Sequence, residues 1–355
     1  MFQRFESVKI RALIGARGQE CHDVAQLLTP YTGAEQARRL QAALGFEQVR
    51  FFAQGVTMGD AACKAALELL RQEQLTGADI DACIFVTQTP NSNVPGNTFV
   101  YQEQLGLTPD CIFLDALQGC AGYVYALFMA STLIAAKTAR RVMLLVGETS
   151  YTSCLAHGLP SDFNAEDCGW QVNNAAIFSD GASATILEFD EHATPSFYLI
   201  NNYGKGYHVI YDDVALCLPL RANPLQHSPH MLHIDGTALA QFAMKEVRVN
   251  LETILERTGY STDDLSYCIF HQANHSILSS LERVLKTKPG FVPFLAAQTG
   301  NTFCATIPLA LSEHATHLES ITHKPTLLTG YGVGLCVASA ITALNHTKIY
   351  APVEL

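Results

Sequence analysis

The sequence predicts an α/β protein made of two related halves, and three observations carry that expectation. First, short continuous apolar runs, such as 82–87 (ACIFVT), 111–114 (CIFL) and 141–146 (RVMLLV), alternate with helical periods. Runs of this kind fit strands of a mostly parallel sheet covered on both faces. Second, the halves resemble each other. Residues 113–120 (FLDALQGC) and 294–301 (FLAAQTGN) both open on Phe-Leu and carry Gly in the seventh place, 181 residues apart. Upstream, 78–88 (ADIDACIFVTQ) parallels 263–272 (DDLSYCIFHQ), each after a long helix and an acidic turn. A repeat this long implies a duplicated βαβαβ unit about a pseudo-twofold axis, divided here into 1–190 and 191–355. Third, 48% of the 355 residues are hydrophobic and 15% charged, which supplies ample core and argues against disorder.

Taken in order, residues 7–14 mix β-branched and apolar side chains and give a first strand. A polar helix is expected over 33–43. Thr57 precedes Asp60 at capping-box spacing, and helical periodicity then runs to about Gln74. After the strand at 82–87, a Pro/Asn/Gly-rich turn at 90–97 leads into a helix ending near Leu105. Strand 111–114, an apolar helix and strand 141–146 follow. Residues 154–171 are irregular and hold the only tryptophan, Trp170, which fits a long functional or interfacial loop. Residues 175–189 suggest two strands joined at Asp180-Gly181 by a hairpin-type turn. A fresh strand at 197–201 opens the second half, and 204–229, low in periodicity, is expected to shape a pocket. A long amphipathic helix over 236–258 precedes strand 267–270 and a helix from Asn274. Strand 291–295, a helix from Thr302 and closing strands at 326–329 and 335–344 complete the chain.

The stretch 115–137 (DALQGCAGYVYALFMASTLIAAK) carries no charge between its ends. About 20 apolar residues can span a bilayer. Gly119 and Gly122 interrupt it, however, and Tyr123, Tyr125, Ser131 and Thr132 add polar groups. We read it as the buried helix of a large domain, with Cys120 in its first turn. A helix N-terminus carries partial positive charge and unpaired N–H groups, which would lower a thiol pKa and offer an oxyanion site. Taken alone, a cysteine in an apolar run is more often a core residue.

The remaining totals narrow the class. A net charge of −11 disfavours a nucleic-acid protein, and an acidic partner would need a local basic patch. The start, MFQRFESVKI, lacks an apolar signal region, so no secretory signal and no membrane role are expected. The eleven cysteines are dispersed with no C-x-x-C, which fits reduced cytoplasmic thiols rather than disulfides or a zinc site. His227, His230 and His233 have spacing that suits ligands on a helix, but Pro229 argues for a loop. No H-E-x-x-H, P-loop or G-x-S-x-G motif is present, and neither metal nor cofactor is expected.

A thiol nucleophile with a second-half His and Asn has a reaction attached. Cys120 can take an acyl group from a thioester as a covalent intermediate. His271 directly follows an apolar strand, where its ring can enter a cleft at the strand's carboxyl end. Asn301 offers an amide donor at a helix start. Two neutral donors on one carbonyl oxygen would stabilise the enolate left by decarboxylating a malonyl thioester. Each also has a plainer account: His271 as a hydrogen-bonded core histidine, Asn301 as a helix N-cap.

In combination, residues 119–127 (GCAGYVYAL), 271–274 (HQAN), 300–302 (GNT), 307–311 (IPLAL), 178–182 (FSDGA) and 331–334 (YGVG) resemble the β-ketoacyl-acyl-carrier-protein synthase III group of the thiolase superfamily. The resemblance runs from about Gly45 to Ala343. It implies a thiolase-like five-layer αβαβα fold, a homodimer, and a catalytic triad of Cys120, His271 and Asn301. It further implies an oxyanion hole from the backbone N–H groups of Cys120 and Val333. There are departures. The family's tryptophan six positions before the glycine matching Gly45, which stacks on coenzyme A, is Arg39 here. The carrier-docking arginine five positions after the His is Ser276. Arg283, Lys286 and Lys288 are the remaining candidates for docking an acidic carrier protein. Cys304 and Cys336 are expected to be structural, which disfavours a reversible thiolase.

The expected activity is therefore acylation of Cys120, followed by decarboxylative Claisen condensation with a malonyl thioester to a 3-oxoacyl product. The acyl and malonyl thioesters would be carried by acyl-carrier protein or coenzyme A. The departures point to a specialised pathway of secondary-metabolite or surface-lipid assembly. One alternative keeps the fold but moves the acyl group to an alcohol or amine without loss of carbon dioxide. Another is a non-catalytic subunit of a heteromeric synthase.

Overall fold

The two Cys-Ile-Phe segments that suggested a duplication form strands with matching faces. In a computed structural model, which describes residues 1–92, 94–150, 177–212, 232–316 and 323–355, they are β5 (Ala82–Thr87) and β12 (Cys268–Phe270). Ile84 and Ile269 both enter one central core, whereas Cys83 with Phe85 and Cys268 with Phe270 face two separate outer cores. This is the period-two alternation of a strand buried on both sides. Each strand follows a short 3-10 turn closed by a capping box, Thr76 with Asp79 and Ser261 with Asp264.

Around β5 the first sheet has the order β15 (Lys348–Glu354), β2 (Val8–Arg17), β8 (Gly181–Phe189), β7 (Arg141–Glu148), β5 and β6 (Ile112–Leu117). Around β12 the second has the order β1 (Phe2–Phe5), β9 (Ser196–Asn202), β14 (Cys336–Thr342), β13 (Thr326–Gly332) and β12. The chain ends therefore cross over: β1 pairs with β9 and β15 with β2. Arg11 bridges Glu73 and Glu188 at 2.6 and 3.1 Å, and Lys348 and Tyr350 of β15 also reach Glu73, which ties the last strand to the first sheet. Two small hairpin-like pairs lie apart from these sheets: β3 (Glu20–Asp23) with β4 (Gln48–Phe51), and β10 (Ile210–Asp212) with β11 (Leu232–Ile234).

Helices α1 (Val24–Thr32) and α2 (Ala34–Leu44) form a small cluster with Phe46 and Phe51. The outer face of the first sheet is covered by α3 (Met58–Glu73), capped by Thr57 and Asp60 as expected. The short helices α4 (Asn97–Val100) and α5 (Gln102–Leu105) lead to β6. Between the sheets lie α6 (Gly122–Ala135) and, late in the chain, α10 (Thr306–Glu313). The second sheet's outer face carries α7 (Gly236–Phe242), continued through a π-turn into α8 (Arg248–Thr258), and α9 (His275–Leu285). Helices, sheet, helix pair, sheet and helices make the five-layer αβαβα arrangement. Within the middle layer Val124, Leu127 and Ile134 are buried against both sheets. Each such side chain contributes roughly 1.5–3 kcal/mol.

Four expectations need correction. The central helix does not span 115–137. Parallel pairing with β5 continues through Val86↔Ala116 and Thr87↔Leu117, so β6 takes the first three of those residues. The Asp115 carboxylate instead caps α4, accepting from the N–H groups of Asn97 and Thr98 and from the Thr98 hydroxyl. The helix that remains has 14 residues, about 21 Å long against a hydrocarbon core of about 30 Å. Among the described residues no helix is long and apolar enough to cross a membrane. Asp180-Gly181 is no hairpin turn, because β8 lies between β7 and β2 and Asp180 is buried, accepting from Phe52 N–H at 2.9 Å. Residues 291–295 form no strand; their contacts include the N–H of Cys268 on the Phe291 carbonyl and the N–H of Leu295 on the Gln272 side chain. The helix expected from Thr302 begins with a 3-10 turn, Phe303–Ala305, and becomes α-helical at Thr306. Residues 154–171 with Trp170, the His227 and His230 positions, and most of 204–229 lie outside the described residues, while the His233 backbone lies in β11.

Phe85 is fully buried between β5 and α3. Phe85→Ala is expected to lower stability by about 3–5 kcal/mol, read from denaturant midpoints at unchanged slope. A loss below about 1 kcal/mol would contradict the packing described here.

Candidate active site

Cys120 lies in the turn between β6 and α6, two residues before the helix starts, and is 6% exposed. The second sheet presses against that turn. A Cβ added to Gly330 would sit 2.6 Å from the Ala121 Cα, and one added to Gly332 would sit 3.1 Å from the Cys120 sulphur. Gly332, at φ +144°, is therefore needed both for its backbone and for its missing side chain. The next residue, Val333, directs its backbone N–H at the Cys120 sulphur, as does Cys120's own N–H. The resemblance names the same two N–H groups for an oxyanion hole. The Val333 carbonyl accepts from the Cys336 thiol at 3.1 Å, so Cys336 steadies this loop from β14.

The thiol pKa runs opposite to the sequence expectation. Burial pushes Cys120 up to about 12, and the Val333 N–H opposes that only in part. The partial charge of a helix end does not outweigh removal from water. Cys120 therefore rests as a neutral thiol.

His271 directly follows β12 and is 2% exposed. Its backbone N–H donates to Thr329 of β13 at 2.8 Å, continuing the parallel ladder past the strand's end. The ring stands edge-on to Tyr331, with centroids 5.7 Å apart. Nδ1 lies 2.7 Å from the Thr306 hydroxyl, which leaves Nε2 as the other face of the ring. Burial lowers the His271 pKa to about 3, so the imidazole is neutral at any ordinary pH.

Asn301 sits at the second-half corner. Its N–H donates to the Ile177 carbonyl, and its carbonyl accepts from Ser179, so residues 177–179 clamp it from both sides. Its side-chain oxygen accepts from the Phe303 N–H at 2.9 Å, which turns the amide –NH₂ away from that turn. Phe303 takes a left-handed φ of +50°, costing about 1–2 kcal/mol, and stacks on Phe178 with ring centroids 4.2 Å apart. The N-cap account is thus met by one end of the amide, and the –NH₂ end lies away from the turn.

Cys120 and His271 meet the end of β13, while Asn301 and His271 share the Phe303–Thr306 turn. Arg283, Lys286 and Lys288 are exposed around the C-terminal end of α9, with the Lys288 ammonium 5.9 Å from the Phe291 ring centroid. Ser276 donates to the Ala43 carbonyl and so serves to join α9 to the end of α2. Arg39 is exposed and paired with Glu35. Among the described residues no group of His, Cys, Asp and Glu is arranged to hold a metal.

Sequence reasoning missed Glu148. It is buried at the end of β7 and accepts from the Thr87 and Thr89 hydroxyls, the Gln88 N–H and the Cys304 thiol. Burial raises its pKa to about 7. The one available signal was a lone carboxylate closing an otherwise apolar strand, RVMLLVGE. Thr306 was missed too, since a threonine inside a helical segment gives no warning that it meets a histidine.

Comparison with known proteins identifies the family. The family description 3-oxoacyl-(acyl-carrier-protein) synthase III matches residues 114–203, and its C-terminal counterpart matches 255–344. The β-ketoacyl-(acyl-carrier-protein) synthase III of Ruegeria pomeroyi is 30% identical over 274 residues, covering 76% of this chain and 78% of that one. The Streptococcus agalactiae protein of the same name is 28% identical over 297 residues, covering 83% and 87%. The crystal structure of a 3-oxoacyl-(acyl-carrier protein) synthase from Burkholderia xenovorans superposes with a TM-score of 0.86 at 27% identity, over 100% of this chain and 99% of that one. Fold and matches together define a thiolase-fold condensing enzyme. More narrowly, the chain belongs to the β-ketoacyl-(acyl-carrier-protein) synthase III family.

A thiol with its pKa near 12 makes a pH prediction. Alkylation of Cys120 by iodoacetamide, located by peptide mass mapping in a Cys21→Ser background, is expected to rise about tenfold per pH unit from 6 to 10. A plateau below pH 8 would show an activated resting thiolate and contradict the burial argument.

Proposed function

We propose that Cys120 carries the acyl group, that His271 and Asn301 activate a malonyl thioester, and that the N–H groups of Cys120 and Val333 form the oxyanion hole. The observation that carries this is that the His271 and Asn301 side chains bond to the same Phe303–Thr306 turn. Burial keeps His271 uncharged, and the Phe303 N–H orients the Asn301 amide. In the first half-reaction the thiol proton passes to His271 as sulphur attacks the thioester carbonyl. The tetrahedral oxyanion sits on the two backbone N–H groups, and the carrier thiol leaves with a proton. In the second, the malonyl C–C bond breaks and carbon dioxide departs, leaving its electron pair as an enolate. Donors from His271 Nε2 and the Asn301 amide hold that enolate oxygen. The enolate carbon attacks the acyl-Cys120 carbonyl, the C–S bond breaks, and the departing Cys120 thiolate takes up one proton from solvent. The product is a 3-oxoacyl thioester.

Substrates are proposed to be acyl and malonyl thioesters of carrier protein or coenzyme A, with Arg283, Lys286 and Lys288 as the carrier's docking residues. A specialised pathway is favoured by two positions. Arg39 offers no aromatic face for a coenzyme A base, and the Ser276 hydroxyl is spent on Ala43. We also propose a homodimer formed along β6. Among the described residues this edge strand pairs only with β5, and Leu117 (72%), Leu114 (38%), Phe99 (59%) and Val100 (50%) are exposed on or beside it. Apolar, unpaired edges are a template for a second copy.

Intact-mass analysis with a panel of acyl donors is expected to show one acyl group, lost in Cys120→Ala. Carbon dioxide release from malonyl-carrier should fall at least about 10³-fold in the double variant His271→Ala, Asn301→Ala. Undiminished release there would sink the proposal, and an ester or amide product formed without carbon dioxide would replace it with simple acyl transfer. For the dimer, sedimentation equilibrium should give twice the chain mass of 38.7 kDa. Phe99→Asp with Leu117→Asp should sediment as one chain, and an unaltered dimer in that variant would exclude β6 as the interface.

A further inference from the structure

The two half-reactions, as proposed above, ask opposite things of the same nitrogen. To accept the Cys120 proton, His271 Nε2 must present a lone pair, so the proton of the neutral ring sits on Nδ1. To donate to the enolate oxygen, Nε2 must carry the proton, so Nδ1 must present the lone pair. A buried Nδ1 left without a matching partner in either state would disfavour that tautomer. Its partner must therefore both accept and donate.

Thr306 meets that requirement. Its Oγ1 lies 2.7 Å from His271 Nδ1 and 3.0 Å from the Phe303 carbonyl, in a buried position at the first turn of α10. With the hydroxyl proton on the Phe303 carbonyl, Oγ1 accepts from Nδ1–H and Nε2 is a base. With the hydroxyl rotated toward the ring, Oγ1 donates to Nδ1 and Nε2–H is a donor. A carbonyl in the same place could only accept, and so could serve one tautomer but not both. We propose that the Thr306 hydroxyl is a positioning group whose rotation lets His271 serve as base in acylation and as hydrogen-bond donor in decarboxylation. Between the two, one water proton enters at Nε2 and the Nδ1 proton leaves to water as carriers exchange, so the ring stays neutral. The inference rests on His271 and Cys120 having the roles proposed above.

The test separates the half-reactions in Thr306→Val, which keeps the shape and removes the hydroxyl. Cys120 acylation is followed by quenched intact mass, and carbon dioxide release by single turnover of pre-acylated enzyme with malonyl-coenzyme A or malonyl-carrier. Acylation is expected to slow by less than about fivefold and carbon dioxide release by roughly 10²-fold, with Thr306→Ser restoring both to within a few-fold. Equal slowing of both steps would mark a packing role and overturn the inference, as would undiminished carbon dioxide release. If Thr306→Val does not fold, Thr306→Ala against Thr306→Ser makes the same comparison. Wild-type enzyme that neither acylates Cys120 nor releases carbon dioxide would overturn the underlying assignment, and this inference with it. Wild type competent in both steps, with the two steps unsplit in the variant, overturns this inference alone.

Discussion

The structure depends on the close approach of the end of β13 to the turn holding Cys120. At Gly330 and Gly332 the second sheet comes within van der Waals contact of the first half's corner, with no room for a side chain. That contact closes the site to water from one side and presents the Val333 N–H to the sulphur. It also decides protonation. A thiolate–imidazolium pair would place two charges where burial already shifts each group toward its neutral form, and the attraction would not repay their desolvation. The resting site is a neutral thiol beside a neutral imidazole, and charge develops only as bonds change.

This geometry follows from the five layers. Each central helix must bury its surface against two sheets at once, which is why α6 is apolar nearly all round, as the run after Gly122 is. Both functional corners precede a central-layer helix: Cys120 ahead of α6, Asn301 ahead of α10. The two corners thus hold equivalent places in the two halves, with different side chains. The first corner carries a thiol. The second carries an amide clamped by residues 177–179 and followed by a strained Phe303.

Much of this was legible because periodicity and repetition are written locally. The alternation Cys83-Ile84-Phe85 and its copy Cys268-Ile269-Phe270 specify two strands with the same two faces, and the Thr57–Asp60 box marks the start of α3. What was not legible depends on partners distant in sequence. Nothing near Asp115 says that its carboxylate caps Asn97 and Thr98, so the apolar stretch looked longer as a helix than it is. Nothing in 291–295 says that a Gln272 side chain takes the place of a ladder hydrogen bond. The thiol pKa was misjudged for the same reason: helix position is local, whereas burial is a property of the whole fold.

Glu148 extends the argument to a third buried group. A carboxylate with no cation beside it among the described residues, close enough to Cys120 and Cys304 to disfavour their ionisation, would be a liability in a site built to rest on a thiolate. In a site built on a neutral thiol it is tolerable. Its hydrogen bonds to Thr87, Thr89, Gln88 and Cys304 fasten the ends of β5 and β7 to the turn that carries Asn301. The carboxylate's own pKa is raised toward 7 by the burial that raises the thiol's. Glu148, Cys120 and His271 are all moved toward their uncharged forms. One dry centre imposes one rule on three different groups, and in the mechanism proposed above the transient charges of acyl transfer fall to the backbone N–H groups and neutral side-chain donors that surround them.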